Sequence, residues 1–249
     1  MDCNEPLLEE GRGLVADAAG RGLTLRLLGG MAVRATCPSS RSEPFARSCD
    51  DLDFFASASP ASIEELFAGR GWLPEAEFNL YNGSSRLKFR HSELGKSADI
   101  FLGRFAMCHV IKLDKRLDTT TMTIPFAELL LTKLQVVEAN DKDFADCFCI
   151  LADHGLGPAA SGLIDAADFA AACAEDWGLQ TTVELSLAKL RAWIGGSNIE
   201  EAARSAALDR MDALLAAVSS APKGLAWKAR SMIGRRVRWY ELPEEAERC

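Results

Sequence analysis

The chain has 249 residues, 48% of them hydrophobic and 26% charged, which is long and apolar enough to build a core without disulfide or metal staples. A formal net charge of −8 and a pI of about 5.1 argue against a protein wrapped along nucleic acid, which needs a basic surface. They leave room for a small phosphorylated ligand, which needs only local positive charge.

In chain order, residues 5–20 predict an amphipathic helix, and 23–28 (LTLRLL) a strand that runs straight into Gly29-Gly30. MAVRAT continues as a short helix stopped by Pro38, and 38–50, with two prolines and four serines, is a loop. DLDFFA (51–56) is the next strand, and 60–70 a helix with Pro60 and Ser62 near its start and Gly71 near its end. Alternation predicts strands at 85–91 and 97–103, with further strand-like pieces at 108–113 and 119–124. After Pro125 the pattern is helical, notably at 163–177, 181–193 and 199–218, with a Gly-rich loop at 154–162.

The eight cysteines (Cys3, Cys37, Cys49, Cys108, Cys147, Cys149, Cys173 and Cys249) show no C-x-x-C spacing. Their expected state is free thiol in a reducing cytoplasm, several buried as small hydrophobes. Asp2, Glu5, Glu9 and Glu10 stand where a secretory signal would be apolar, and no apolar run has the length of a membrane span.

Asp51-Leu52-Asp53 carries the chemistry. On a strand, side chains at i and i+2 share a face, so both carboxylates project together while Leu52 points to the core. Adjacent carboxylates repel and resist ionisation, and a divalent cation is the usual remedy. The plainer alternative is a strand end with two solvated acids. Asp99, set among Ile100, Phe101 and Leu102, is a costly acid unless it is paired or belongs to a site. If its strand neighbours 51–56, the three acids could hold two metals for in-line displacement at phosphorus. Otherwise Asp99 pairs with an arginine such as Arg86 or Arg104. Gly29-Gly30, between strand and helix, lets backbone approach an anion at the helix start. Gly30 is expected to face the same cleft as the aspartates. Arg34, Arg41 and Arg47 are possible phosphate partners from the loop that follows.

The runs LLGGMAVRATC, RSCDDLDFF and ADIFLG resemble the polymerase-beta-like nucleotidyltransferase superfamily, in the branch that includes abortive-infection toxin-type members. The block 125–151, with Lys133 and the Lys142-Asp143-Phe144-Ala145-Asp146 continuation, is similar to the same branch. The resemblance implies an α+β fold: a nucleotidyltransferase-type mixed sheet flanked by helices over 1–124, then a helical domain over 125–249. It implies magnesium or manganese on Asp51, Asp53 and Asp99, with Asp99 helping to activate the attacking hydroxyl. It also implies nucleoside triphosphate, ATP included, at Gly29, Gly30, Arg47 and Lys133. Lys133 is the one cation in LLLTKLQVV and must reach a phosphate, a carboxylate or water. Asp143 and Asp146 are expected to be mainly structural. One departure is Cys49, which stands where the family's R-x-T-x-D-x-D form has threonine.

The expected reaction is transfer of a nucleotidyl group to a hydroxyl-type acceptor of unassigned identity (small molecule, tRNA or protein), with no membrane partner. The rival is a non-catalytic nucleotide-binding or toxin–antitoxin-type regulatory protein that keeps the fold. The stretch 223–238 holds Lys223, Lys228, Arg230, Arg235, Arg236 and Arg238 and no acid, beside Trp227, Trp239 and Tyr240. It fits either an acidic partner, RNA included, or a terminal helix docked on the body.

Overall fold

The computed structural model describes residues 4–113, 117–118 and 120–242. The first helix, α1 (Glu5–Gly20), starts with Pro6 in its first turn and buries Leu7, Leu8, Leu14, Val15 and Ala18. That spacing forms one apolar stripe. Gly11 lies on the same side, where a Cβ would stand 3.2 Å from a Leu52 methyl, so the helix can lie close to the sheet.

Strand β1 (Thr24–Leu28) passes without a loop into α2 (Gly29–Thr36). After a 3-10 turn at Pro38–Arg41 come β2 (Asp51–Ser57), α3 (Pro60–Ala68), β3 (Trp72–Pro74), α4 (Ala76–Asn82), β4 (Arg86–His91) and β5 (Ser97–Leu102). These strands form one mixed sheet in the order β1-β2-β5-β4-β3. Strand β2 is antiparallel to β1 and parallel to β5, while β4 is antiparallel to both β5 and β3. Phe67 of α3 stacks on Phe89 at 4.6 Å between ring centres and meets Phe54 and Trp72 edge-on, closing the core on that side.

The two weaker strand expectations shrink. Within 108–113 only Val110–Ile111 (β7) is strand, paired with Phe105–Ala106 (β6). The segment 119–124 makes a single bridge, Thr123 to Leu27, along the outer edge of β1; Thr119 lies outside the described residues. Pro125 cannot donate to a ladder, so pairing cannot continue through it. Arg26 fixes this segment by donating to the carbonyls of Leu117 and Thr120.

From residue 126 the described chain is helical: α5 (Phe126–Leu134), α6 (Asp141–Asp153), α7 (Ala166–Glu175), α8 (Trp177–Gly196), α9 (Glu201–Ser220) and α10 (Leu225–Ile233). The expected helix at 163–177 is divided at Asp176, which caps α8 by accepting from the amides of Gly178 and Leu179. An acid that satisfies orphan amides ends one helix and starts the next. Helix α5 is buried nearly all round, and one apolar cluster runs from Leu7 to Val218 through sheet and helices. Cys37, Cys49, Cys108, Cys147, Cys149 and Cys173 are free and buried; Cys3 and Cys249 lie outside the described residues.

Candidate active site

The parallel register of β2 on β5 sets Asp53 directly beside Asp99 and Asp51 beside Ser97. The antiparallel register of β1 on β2 sets Leu28 beside Asp53, so the β1–α2 junction falls next to the acids. Gly29 there has φ +69, and a Cβ on it would overlap the Asp53 carboxylate. Glycine is required twice over, by conformation and by space. Gly30 stands a step further into the helix start, where a Cβ would lie 2.9 Å from Arg47 Nη2. The glycine pair therefore touches an acid of the site on one side and a candidate phosphate-binding cation on the other.

Asp53 is half-buried while Asp51 is exposed. Burial, then the neighbouring Asp51 and Asp99, push the Asp53 carboxyl up to about 8, partly offset by Lys133 and Arg86. The side chain is thus a half-buried acid short of positive charge, the condition a cation relieves. Asp50, the remaining acid of the run, is paired with Lys96.

Asp99 is engaged with Arg86. The guanidinium donates through Nε at 2.7 Å and through Nη2 to the second oxygen. It also lies over the Phe101 ring at 4.9 Å. The arginine pairing named from sequence as the alternative for Asp99 is thus present. Among the described residues no group of three or more His, Cys, Asp or Glu is arranged to hold a metal ion. Asp51 and Asp53 nevertheless fit one: two oxygen donors on one strand face, one of them driven by its surroundings to keep its proton.

The cations expected at the phosphates are gathered by Asp146. Arg47 Nη2 donates to both Asp146 oxygens at 2.7 Å, and Lys133 Nζ lies 2.9 Å from the same carboxylate and 3.5 Å from Asp143. Asp146 is buried, and the two cations share it beside Gly30. The Lys133 ammonium pays a burial penalty, but Asp146, Asp143 and Asp53 outweigh it and hold its pKa above the ordinary lysine value. Asp143 also completes a capping box with Asn140, fixing the first turn of α6. Arg34 donates to the Ser40 carbonyl, and Arg41 to the carbonyls of Arg34 and Ala35.

Asn4 was not singled out in the sequence. It sits at the N-cap position of α1 without capping it. Its side chain donates to the Arg47 carbonyl at 2.8 Å and accepts from the Cys49 amide at 2.7 Å. It thereby pins the segment carrying Arg47 and leading into Asp51. An Asn just before a helix reads as an ordinary cap, which hides this role. Arg47 also walls an open cavity of about 630 Å³ that Phe45, Lys142 and Trp193 help to line.

No family model matches this chain, and no curated protein matches it either. Among solved structures it is similar to the antibiotic-resistance factor ANT(2'')-Ia, at 13% identity and a TM-score of 0.41, covering 85% of this chain and 98% of that one. It is also similar to an antigenic nucleotidyltransferase-like protein from Paracoccidioides brasiliensis, at 12% identity and a TM-score of 0.43, covering 91% and 97%. No helix among the described residues is long and apolar enough to cross a membrane.

Proposed function

We propose that this protein is a metal-dependent nucleotidyltransferase that moves a nucleoside monophosphate group from a nucleoside triphosphate to an acceptor hydroxyl, releasing pyrophosphate. The observation that supports it most is the meeting of Gly29 with Asp53, whose register partner is Asp99. A helix start, two acids on adjacent strands and a glycine with no room for a side chain converge where a phosphate would react.

Asp51 and Asp53 would hold a divalent ion, magnesium or manganese, which supplies charge neutralisation at the reacting phosphate when bound. The start of α2 offers backbone amides to the remaining phosphate charge. Arg47 and Lys133, both held by Asp146, offer charged donors already oriented, so little ordering is left for binding. Asp99 would orient and accept the proton of the acceptor hydroxyl, with Arg86 holding it in place until then. Lys133 comes from the helical part, so the nucleotide would lie where residues 1–124 meet 125–249, the division we retain as two domains.

The experiment is calorimetric titration with ATP and GTP, with and without magnesium, followed by a pyrophosphate-release assay over a panel of hydroxyl acceptors. Magnesium-dependent binding with pyrophosphate release supports the enzyme. Binding without release under any acceptor supports the non-catalytic rival.

A further inference from the structure

Two exposed apolar faces are left over by the fold, and their charges are opposite. Helix α10 has no buried residue and turns Trp227, Arg230 and Ser231 toward the body. Its outer side therefore carries Leu225, 86% exposed, together with Met232 and Ile233, at the i, i+7 and i+8 positions of one helical stripe. Val237 follows, and Lys228, Arg235, Arg236 and Arg238 stand exposed around this stripe. The second face is α4, which likewise has no buried residue, with the strand before it, where exposed Arg90 lies across from Leu73. Leu73, Tyr81 and Leu80, the last 78% exposed, share it with exposed Glu75 and Glu77. These two faces hold seven of the nine large apolar side chains exposed among the described residues.

A cavity of about 180 Å³ lies between α4 and the chain that follows α10. Its wall combines Phe78 and Asn82 of α4 with Glu241 and Leu242, which follow closely on Arg238, and it includes Arg86. The segment after α10 thus reaches α4, next to the arginine that holds Asp99.

The geometry points to a second copy of this chain as the occupant of both faces: α10 of each copy lies on α4 of the other, and the pair closes over the cavity beside Arg86. A two-fold dimer makes this contact twice, since residue i meets j and j meets i. Charge complementarity selects this partner. A basic apolar stripe calls for an acidic apolar one, and the chain itself carries one. An anionic membrane would meet the stripe but also a protein of net charge −8. Nucleic acid would need free ring faces, and one face each of Trp177, Trp239 and Tyr240 is already taken by Arg230, Arg235 and Arg238 at 4.7, 5.8 and 5.0 Å. Leucine, methionine and isoleucine give bases nothing to pair with. This inference does not depend on the proposed activity, since it is read by mass alone.

The test is sedimentation equilibrium of the full chain from about 1 to 100 µM, a range that covers ordinary specific association. The expected result is a monomer–dimer equilibrium that weakens in high salt. Arg235→Glu/Arg236→Glu should raise the dissociation constant by at least ~10-fold, and so should Glu75→Arg/Glu77→Arg. Combining all four changes should return it to within ~3-fold of wild type. All of these side chains are exposed, and circular dichroism checks that each variant is folded. A monomer throughout the range overturns the inference, as does a dimer that neither reversal weakens or that the combined variant fails to restore. A monomer that pellets with phosphatidylserine vesicles also overturns it and assigns the stripe to lipid.

Discussion

Gly29 and Asp53 sit so close that no other residue fits at position 29 without displacing the carboxylate. Gly29→Ala should therefore cost about 1–3 kcal/mol, from the positive φ and the crowding together, and should weaken nucleotide binding. Gly29→Ala/Asp53→Ala should recover part of the stability, because the overlap is gone while the backbone strain remains. Denaturant unfolding of the two variants measures this, and equal losses in both would show that crowding against Asp53 contributes nothing.

A second expectation concerns pH. The folded Asp53 carboxyl titrates at about 8, above its ordinary 3.8. A group that binds its proton more tightly when folded adds stability that is complete below its unfolded value and is lost as pH rises through its folded value. Asp53→Asn cannot ionise, so in chelator it should gain on wild type between about pH 4 and 8 and level off above. Thermal melts across that window check it. A constant difference between the proteins at every pH would mean that burial and the neighbouring acids do not hold the Asp53 carboxyl up.

Asp146 holds Arg47 and Lys133 together from within the helical part. Asp146→Ala leaves a buried ammonium and a guanidinium without their shared acid and should cost about 3–5 kcal/mol, with a marked loss of nucleotide affinity. Lys133→Met leaves Arg47 on Asp146, so it should cost less stability while still weakening nucleotide binding. If the lysine variant binds nucleotide as wild type does, Lys133 is a structural partner of Asp146 and no more. Gly30→Val pushes on Arg47 Nη2 and should weaken binding with little change in metal-free stability.

Asp99→Asn should reduce turnover far more than nucleotide affinity, because the acceptor side loses its proton acceptor while the phosphate side is intact. Arg86→Met should cost about 1–3 kcal/mol by leaving Asp99 without its bidentate partner beside Asp53. Steady-state rates and titration calorimetry separate the two effects. Equal turnover in Asp99→Asn would return Asp99 to a purely structural pairing with Arg86.

The elements that carry these residues were legible because their signals are local. Asp51 and Asp53 share a face through the two-residue period of a strand, and Gly29-Gly30 marks a strand-to-helix junction by composition alone. The pairing of β2 with β5 was legible only as a condition, since register between distant strands is set by packing that no local pattern encodes. The same limit hid the convergence of Arg47 and Lys133 on Asp146, where the partners are 99 residues apart for the arginine. The segment 119–124 shows the opposite failure. Its β-branched run has strand propensity, but at the sheet edge beside Pro125 it found one bridge. Asn4, not singled out from the sequence, serves as a clip on the Arg47 segment.

The central claim is that Asp51 and Asp53 hold the ion that lets this chain bind and use a nucleoside triphosphate. Titration of magnesium and ATP or GTP into wild type, Asp51→Asn and Asp53→Asn tests it most directly, with folding of each variant followed by its melt. The account predicts magnesium-dependent binding in the wild type and its loss, by at least ~100-fold, in both variants, with Asp53→Asn as stable as wild type or more so in chelator. Both variants binding nucleotide and magnesium as tightly as the wild type would contradict it.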